Sequence, residues 1–398
     1  MNKKIAAAVS SAALVLGSTA ANAGIVIPAG EWTLDVNGNV NVYATFQNFD
    51  DPKTTSIVGA LAGSEDSRGE SSNQSINTGL LPAWLGFTGT TRQNDLDVSF
   101  TISMQPATSG NVTTGDQSTT LWRQAFLTFG DKSWGTVKMG KDLGIFAGQA
   151  ILNDMTLLGV GAAYGNSGAP TTLGGIGTGY IYPAWKGQIS YTTPNFNGFT
   201  ATIGVTNPNQ LNNGSLSQHV TTGAGMTAYQ DRFGIEGQVQ YAFDSGKVWV
   251  SGASYKAQAD TVEYDAEAID IGANINFGNI GLTAYYYTGD GAGTTTFGYL
   301  GANSNGQTRE SDGGYVQATY VIPSGTKLGV AYGVSQLDKL SGDSAKLIDE
   351  NKRWTVGAYH PLTKHLNLVA EYNVMESKAN GTNKLESDAL SLGAILFF

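Results

Sequence analysis

Arg92-Gln93-Asn94-Asp95-Leu96-Asp97-Val98-Ser99-Phe100-Thr101-Ile102-Ser103-Met104 carries both signals on which the fold turns. Its first four residues form a polar cluster of the kind that accepts the backbone angles of a tight hairpin turn. From Leu96 onward, apolar Leu96, Val98, Phe100, Ile102 and Met104 alternate with Asp97, Ser99, Thr101 and Ser103. A period of two marks a β-strand with two unlike faces. Working outward, the same period returns along nearly the whole chain. Phe233, Ile235, Val239, Tyr241 and Phe243 alternate with Glu236, Gln238 and Gln240. Ile269, Ile271, Ala273, Ile275 and Phe277 alternate with Asp270, Asn274 and Asn276, and Leu368, Ala370, Tyr372 and Val374 with Asn367, Glu371 and Asn373. A soluble sandwich would alternate too, so the period alone leaves the class open.

The connections narrow it. Tight turns are read at 92–95, 130–133, 195–198, 244–246, 278–279, 323–326 and 362–365. Longer polar segments fall between them, near 48–80, 106–119, 142–183, 207–230, 258–264, 289–311, 336–350 and 378–386. Short and long connections alternate strictly, which predicts sixteen strands with both ends on the short-turn side. One-sided loop asymmetry is the pattern of a transmembrane antiparallel up-and-down β-barrel, with short turns in the periplasm and long loops outside. Lipid cannot satisfy an open sheet edge, so the sheet must close. At this strand number side chains cannot fill the interior, and a water-filled lumen follows. Apolar side chains then face lipid and polar ones the channel.

Composition agrees. Among 398 residues there are 53 Gly, 10 % aromatics and only 14 % charged residues. Aromatic and β-branched residues are too frequent for a disordered chain. The absence of Cys excludes disulfides, thiolate zinc sites and a Cys nucleophile. His219, His360 and His365 are too few for a multi-histidine centre, and a net charge of −10 argues against nucleic acid. Phosphate-cradling, zinc-protease and nucleophile-elbow motifs are all missing, so neither an enzyme nor a cofactor is expected. Lys3 and Lys4, an apolar stretch Ile5–Leu16 and Ala21-Asn22-Ala23 read as a cleaved signal peptide over 1–23, leaving 24–398 as an exported barrel. Trp122, Trp185, Trp249 and Trp354 lie near strand ends, as interfacial girdles require. The terminal run from Leu390 to Phe398 reads as a last strand that closes the barrel against Trp32–Gln47.

At this point the residues resemble a known family, the trimeric general-diffusion porins of Gram-negative outer membranes. The likeness covers essentially the whole mature chain. It rests on the signal peptide, Leu85-Gly86-Phe87-Thr88-Gly89, Arg123-Gln124-Ala125-Phe126-Leu127, Trp134-Gly135-Thr136-Val137-Lys138-Met139-Gly140-Lys141 before a long loop, and the terminal Phe398. The resemblance implies a homotrimer in outer-membrane lipid that passes ions and small hydrophilic solutes, and Phe398 as part of the signal read by the outer-membrane assembly machinery. The small residues Gly86, Gly89, Gly135 and Gly140, taken as outward, would permit close packing between subunits.

The third long connection, about Asp142 to Pro183, holds apolar Phe146, Ile151, Leu152, Leu157 and Leu158, too many for a disordered loop. In the family this loop folds inward and narrows the channel. Strand parity assigns Asp97, Lys186, Arg232, Glu236, Asp270, Arg353 and Glu371 to the lumen. The family match adds Arg123, with Asp154 from the loop and Lys141 at its foot. Where the family often has a further wall arginine, this chain has Trp84. These charges nearly balance. Asp50, Asp51, Glu65, Asp66 and Glu70 in the outer loops then predict a weak cation preference that fades as salt rises. Inward Tyr285 and Tyr287 keep open a substrate-selective channel for sugars or organic acids. A secreted β-rich adhesin is the remaining alternative; it calls for a fixed repeat, and none is seen.

Overall fold

The computed structural model describes residues 24–52, 55–66, 68–106, 120–163, 171–207, 228–229, 231–259 and 262–398. The leader and His219 lie outside them. Sixteen long strands form the wall: β1 (Trp32–Phe49), β2 (Trp84–Gln93), β3 (Leu96–Pro106), β4 (Thr120–Asp131), β5 (Gly135–Leu143), β6 (Trp185–Thr192), β7 (Phe199–Thr206) and β8 (Gly234–Phe243), followed by β9 (Gly246–Ala259), β10 (Val262–Phe277), β11 (Ile280–Asp290), β12 (Glu310–Val321), β13 (Lys327–Leu337), β14 (Ile348–Pro361), β15 (Leu366–Ala379) and β16 (Lys384–Phe397). Each pairs antiparallel with its sequence neighbours. Closure comes from β16 on β1, with Phe397 opposite Asn39 and Ser387 opposite Phe49. Three short strands, Ile25–Ala29, Ser72–Asn77 and Ala228–Tyr229, add to the edges of β1 and β9.

The opening sequence folds as its residues dictate. Asn94 (φ 47°) and Asp95 (φ 60°) both take left-handed backbone, the geometry that joins two right-twisting strands through two residues. Beyond the turn, Arg92 pairs with Asp97 and Leu85 with Met104, so alternation becomes two faces. Outward positions are apolar and exposed, among them Ile269, Ile271, Val316 and Val330. That is the inverse of a soluble barrel and suits lipid.

Two connections are shorter than the sequence predicts. The 258–264 segment is no long loop, because β9 and β10 continue to Ala259 and Val262. Likewise β15 and β16 stay paired to Lys378 and Lys384, so 378–386 is a tight hairpin. In both places polar residues occupy strand positions beyond the apolar band, where polarity no longer distinguishes strand from loop. Trp249 is also corrected: it is buried on the inward face, whereas Trp122 and Trp354 are exposed outward. Gly86 shares the inward register of Thr88, and Gly140 that of Asp142, so neither opens the outer face.

A second hydrophobic cluster joins Ile57 and Ala62 to Leu300, Leu337, Leu347 and Met375, packing the first, sixth and seventh loops together. Arg309 locks it. Its guanidinium meets the Asp343 carboxylate at 2.5 Å with both side chains almost fully buried, and donates to the Leu300 and Ala302 carbonyls at 2.8 and 2.7 Å. The Arg309 hydrogen bond holds the Asp343 carboxyl below the usual carboxylate range. A depressed carboxylate contributes stability above its unfolded pKa of about 3.9, and that contribution is lost as pH falls through the folded value. The clamp should therefore hold unchanged from pH 7 to pH 5. Asp343→Ala strands a buried guanidinium, at a local cost of about 3–5 kcal/mol. Protease should then cut within 291–309 or 338–347 while the barrel stays intact; uncut loops would assign the clamp no such weight.

Candidate functional site

The segment from Gly144 to Ala184 leaves the wall after β5 and returns at β6. Gly144 N–H to the Ala184 carbonyl, 2.8 Å, closes its neck. Its described residues contain one helical turn, α1 (Gly148–Leu152), and a 3-10 turn (Met155–Leu158). A segment with so little regular structure leaves many backbone groups without partners, and burial makes each unpaired one costly. The barrel wall supplies them.

Three wall acids accept the segment's amides. Ile145 and Phe146 donate N–H to Glu236 Oε2 at 2.6 and 3.2 Å. Ala147 N–H reaches Asp270 Oδ2 at 3.2 Å. Val160 and Gly161 donate to Glu371 Oε2 at 2.9 and 2.7 Å. Each acid also takes a tyrosine hydroxyl from the neighbouring strand: Tyr255 for Glu236, Tyr285 for Asp270 at 3.0 Å, and Tyr359 for Glu371 at 2.6 Å. Other tyrosines bind carbonyls, Tyr315 that of Ala150 at 2.8 Å and Tyr43 that of Leu158 at 2.6 Å. The Gln317 amide bridges Met155 N–H and the Asn153 carbonyl. Gly161 (φ 58°) runs so close to Gly174 that any Cβ there would strike its backbone.

Lys186 completes the Glu236 node, with its ammonium 2.7 Å from Oε1 and 2.8 Å from the Tyr255 hydroxyl. Asp154 is wholly internal to the segment. It accepts from Thr156 N–H, Thr156 Oγ1, Gly175 N–H and the Tyr180 hydroxyl at 2.7–2.9 Å. Burial, then the adjacent Asp154 charge, pushes the Tyr180 hydroxyl well above its ordinary range, which keeps it a donor. Arg353, also buried, bonds Thr178 Oγ1 at 3.3 Å and the side chains of Thr355 and Asn373.

The remaining candidates fall elsewhere. Asp97 faces inward near the short-turn end, where Arg92 binds it at 2.7 Å and Asp131 at 3.0 Å. Arg123 is the extra residue of a β-bulge between Gln124 and Trp122, its guanidinium 6.0 Å from the Trp185 ring. Lys141 is a correction. It shares the outward register of Met139, is exposed, and donates to the Trp122 carbonyl at 2.9 Å. Arg232 is another: β8 begins only at Gly234, so parity does not reach it, and it pairs outside with Asp265 at 2.6 Å. Tyr285 and Tyr287 point inward but are fully buried and present no aromatic track to water.

The segment's anchors run from β8 through β15 to β1. On β2–β7 it leaves some inward residues half-buried, Thr88, Thr101, Gln124, Thr128, Thr192 and Thr202, whereas Ser103, Gln105, Gln188, Ser190 and Thr206 of the same wall are buried. Hydroxyls there bond across strands, Thr88 to Thr101 at 3.1 Å and Thr192 to Thr202 at 2.9 Å. Lys138, an inward lysine of that wall, is tied to Asp142 at 2.5 Å. On the segment itself Gln149, Leu152, Asn153 and Leu158 are also half-buried. This strip and the Tyr–acid nodes were missed in the sequence; only knowledge of which residues are cross-strand neighbours would have found them.

Comparison with known proteins matches residues 8–380 to the family model described as Gram-negative porin. No curated protein matches the chain by sequence. Solved structures share the fold. An anion-selective porin from Comamonas acidovorans is 18 % identical with TM-score 0.64, over 92 % of this chain and 100 % of that one. The outer membrane channel DcaP of Acinetobacter baumannii is 14 % identical with TM-score 0.69, over 93 % and 99 %. OmpF of Salmonella typhi is 16 % identical with TM-score 0.58, over 94 % and 100 %.

Proposed function

The chain belongs to the Gram-negative porin family and is an outer-membrane channel; from that premise we propose that solutes cross it beside the 144–184 segment, along the β2–β7 strip. One observation carries this reading. The segment's polar backbone is tied to the β8–β15 and β1 walls, while on the opposite wall Thr88, Thr101, Gln124, Thr128, Thr192 and Thr202 stay half-buried. A barrel of this strand number encloses more space than one such loop fills. The filter is then steric first, set by Gln149, Leu152, Asn153 and Leu158 against a hydroxyl- and amide-rich wall. Small hydrophilic solutes and ions exchange water for these groups without a strong energetic well, as passive diffusion requires. No step of this transport calls for an enzyme or a cofactor.

Assembly follows the family resemblance: export under the 1–23 leader, recognition of the Phe398 end by the assembly machinery, and a homotrimer in outer-membrane lipid. The test is reconstitution of the purified full chain in planar bilayers, with gel mobility before and after boiling. Stepwise ohmic conductance from a heat-modifiable species is the expected result. A heat-modifiable barrel that conducts nothing would mean that the segment seals the lumen.

A further inference from the structure

We infer that the lumen of this channel prefers small anions and that Lys247 and Lys327 set the preference; the inference rests on the channel reading above. It reverses the sign obtained by counting inward charges, because the fold puts the two signs in different places.

The acids around the segment are withdrawn from water; Asp35, opposite Thr88 near the short-turn end, is half-buried and takes only the Asn37 amide at 3.3 Å. Glu236, Asp270, Glu371, Asp154 and Asp142 are each no more than 5 % exposed. Glu236 is paired with Lys186 and Asp142 with Lys138, while Asp97 at the mouth is held by Arg92. Asp154, Asp270 and Glu371 spend their lone pairs on N–H and hydroxyl donors behind or within the segment. Charge-assisted bonds of that number compensate a carboxylate where it sits. A mobile cation cannot touch Glu236, Asp270, Glu371 or Asp154 without unseating the loop.

Two inward lysines stand differently. Lys247 on β9 and Lys327 on β13 are half-buried, and neither has a carboxylate within ion-pair distance among the described residues. Lys247 donates to Gln149 Oε1 on α1 at 2.8 Å and lies 5.9 Å from the Trp249 ring. Lys327 lies 5.0 Å from the Tyr359 ring. Its register neighbour Gly329 runs against Met155 of the 3-10 turn. Both ammonium groups therefore stand beside the short-turn side of the segment. An ammonium has three donors, and a ring face uses none of them fully. What they can take is a small anion in transit, an inorganic halide or a short carboxylate, held by contact and released because neither site is enclosed.

The experiment is a reversal-potential measurement on the reconstituted full chain in a KCl gradient, at mean salt near 0.1 M and again near 1 M. Wild type should favour chloride at both. At the higher salt the outer-loop acids are screened within about 3 Å, so the lumen alone is read. The K247Q/K327Q variant should bring the chloride-to-potassium permeability ratio to one or below. K247R/K327R should keep it above one, as should K364Q in the exposed 362–365 turn. Potassium preference in wild type near 1 M overturns the inference, and so does an unchanged ratio in the double Gln variant. Should that variant fail to show heat-modifiable mobility, the single K247Q and K327Q variants must each lower the ratio or the assignment falls. Absence of conductance in folded wild type would instead overturn the channel reading beneath it.

Discussion

Deletion of residues 147–157 is expected to raise single-channel conductance by a multiple rather than a fraction. The deletion removes α1 and most of the 3-10 turn, the part that carries the half-buried Gln149, Leu152 and Asn153. It spares the outer barrel surface, because the wall partners it frees point inward: Asp270 and Ser251 lose Ala147, Lys247 loses Gln149, Tyr315 loses Ala150, and Gln317 loses Met155 and Asn153. Those groups regain water once residues 147–157 are gone, so they are not left buried and unpaired. The barrel should still close through β16 on β1 and still shift on boiling. Unchanged conductance in such a folded variant would place the limiting cross-section elsewhere, in the outer loops. The matched milder change, Glu371→Gln, keeps the shape but weakens two amide bonds at one anchor. It should raise current noise more than mean conductance.

The second large effect concerns stability. Lys186→Ala should cost about 3–5 kcal/mol, because it leaves the Glu236 carboxylate buried without its cation. Both side chains are buried to within a few per cent, so solvent does not screen the loss. Glu236 also anchors the neck of the segment through Ile145 and Phe146, and the damage should spread to loop attachment. Removing both charges, as Lys186→Met with Glu236→Gln, should cost less than the single change, since the pair's attraction largely repaid its desolvation. Denaturant midpoints of the heat-modifiable form would measure the cycle. A double variant as unstable as Lys186→Ala would show that Glu236 matters as an amide acceptor rather than as the partner of Lys186.

The barrel was legible because two local signals are written residue by residue. Alternation such as Leu96 to Met104 needs only a strand's two faces, and clusters such as Asn94-Asp95 need only the angles of a two-residue turn. Lipid makes the pattern unambiguous where apolar positions must face outward. Beyond the apolar band that constraint ends, which is why the polar ends of β9, β10, β15 and β16 read as loops.

Parity alone settled which face Glu236, Asp270 and Glu371 occupy, and with it their inward direction. What they do there was decided by the tertiary structure. A carboxylate on the inner wall looks the same in sequence whether it meets water or a backbone amide. Only the path of the 144–184 segment, fixed by contacts separated by about ninety to two hundred residues, turns these acids into anchors. The same path leaves Lys247 and Lys327 half-buried and outside any ion pair among the described residues. Strand character is a property of neighbours along the chain, and the sequence determined it. The charge a solute meets depends on which side chains the fold has already satisfied, and no period in the sequence records that.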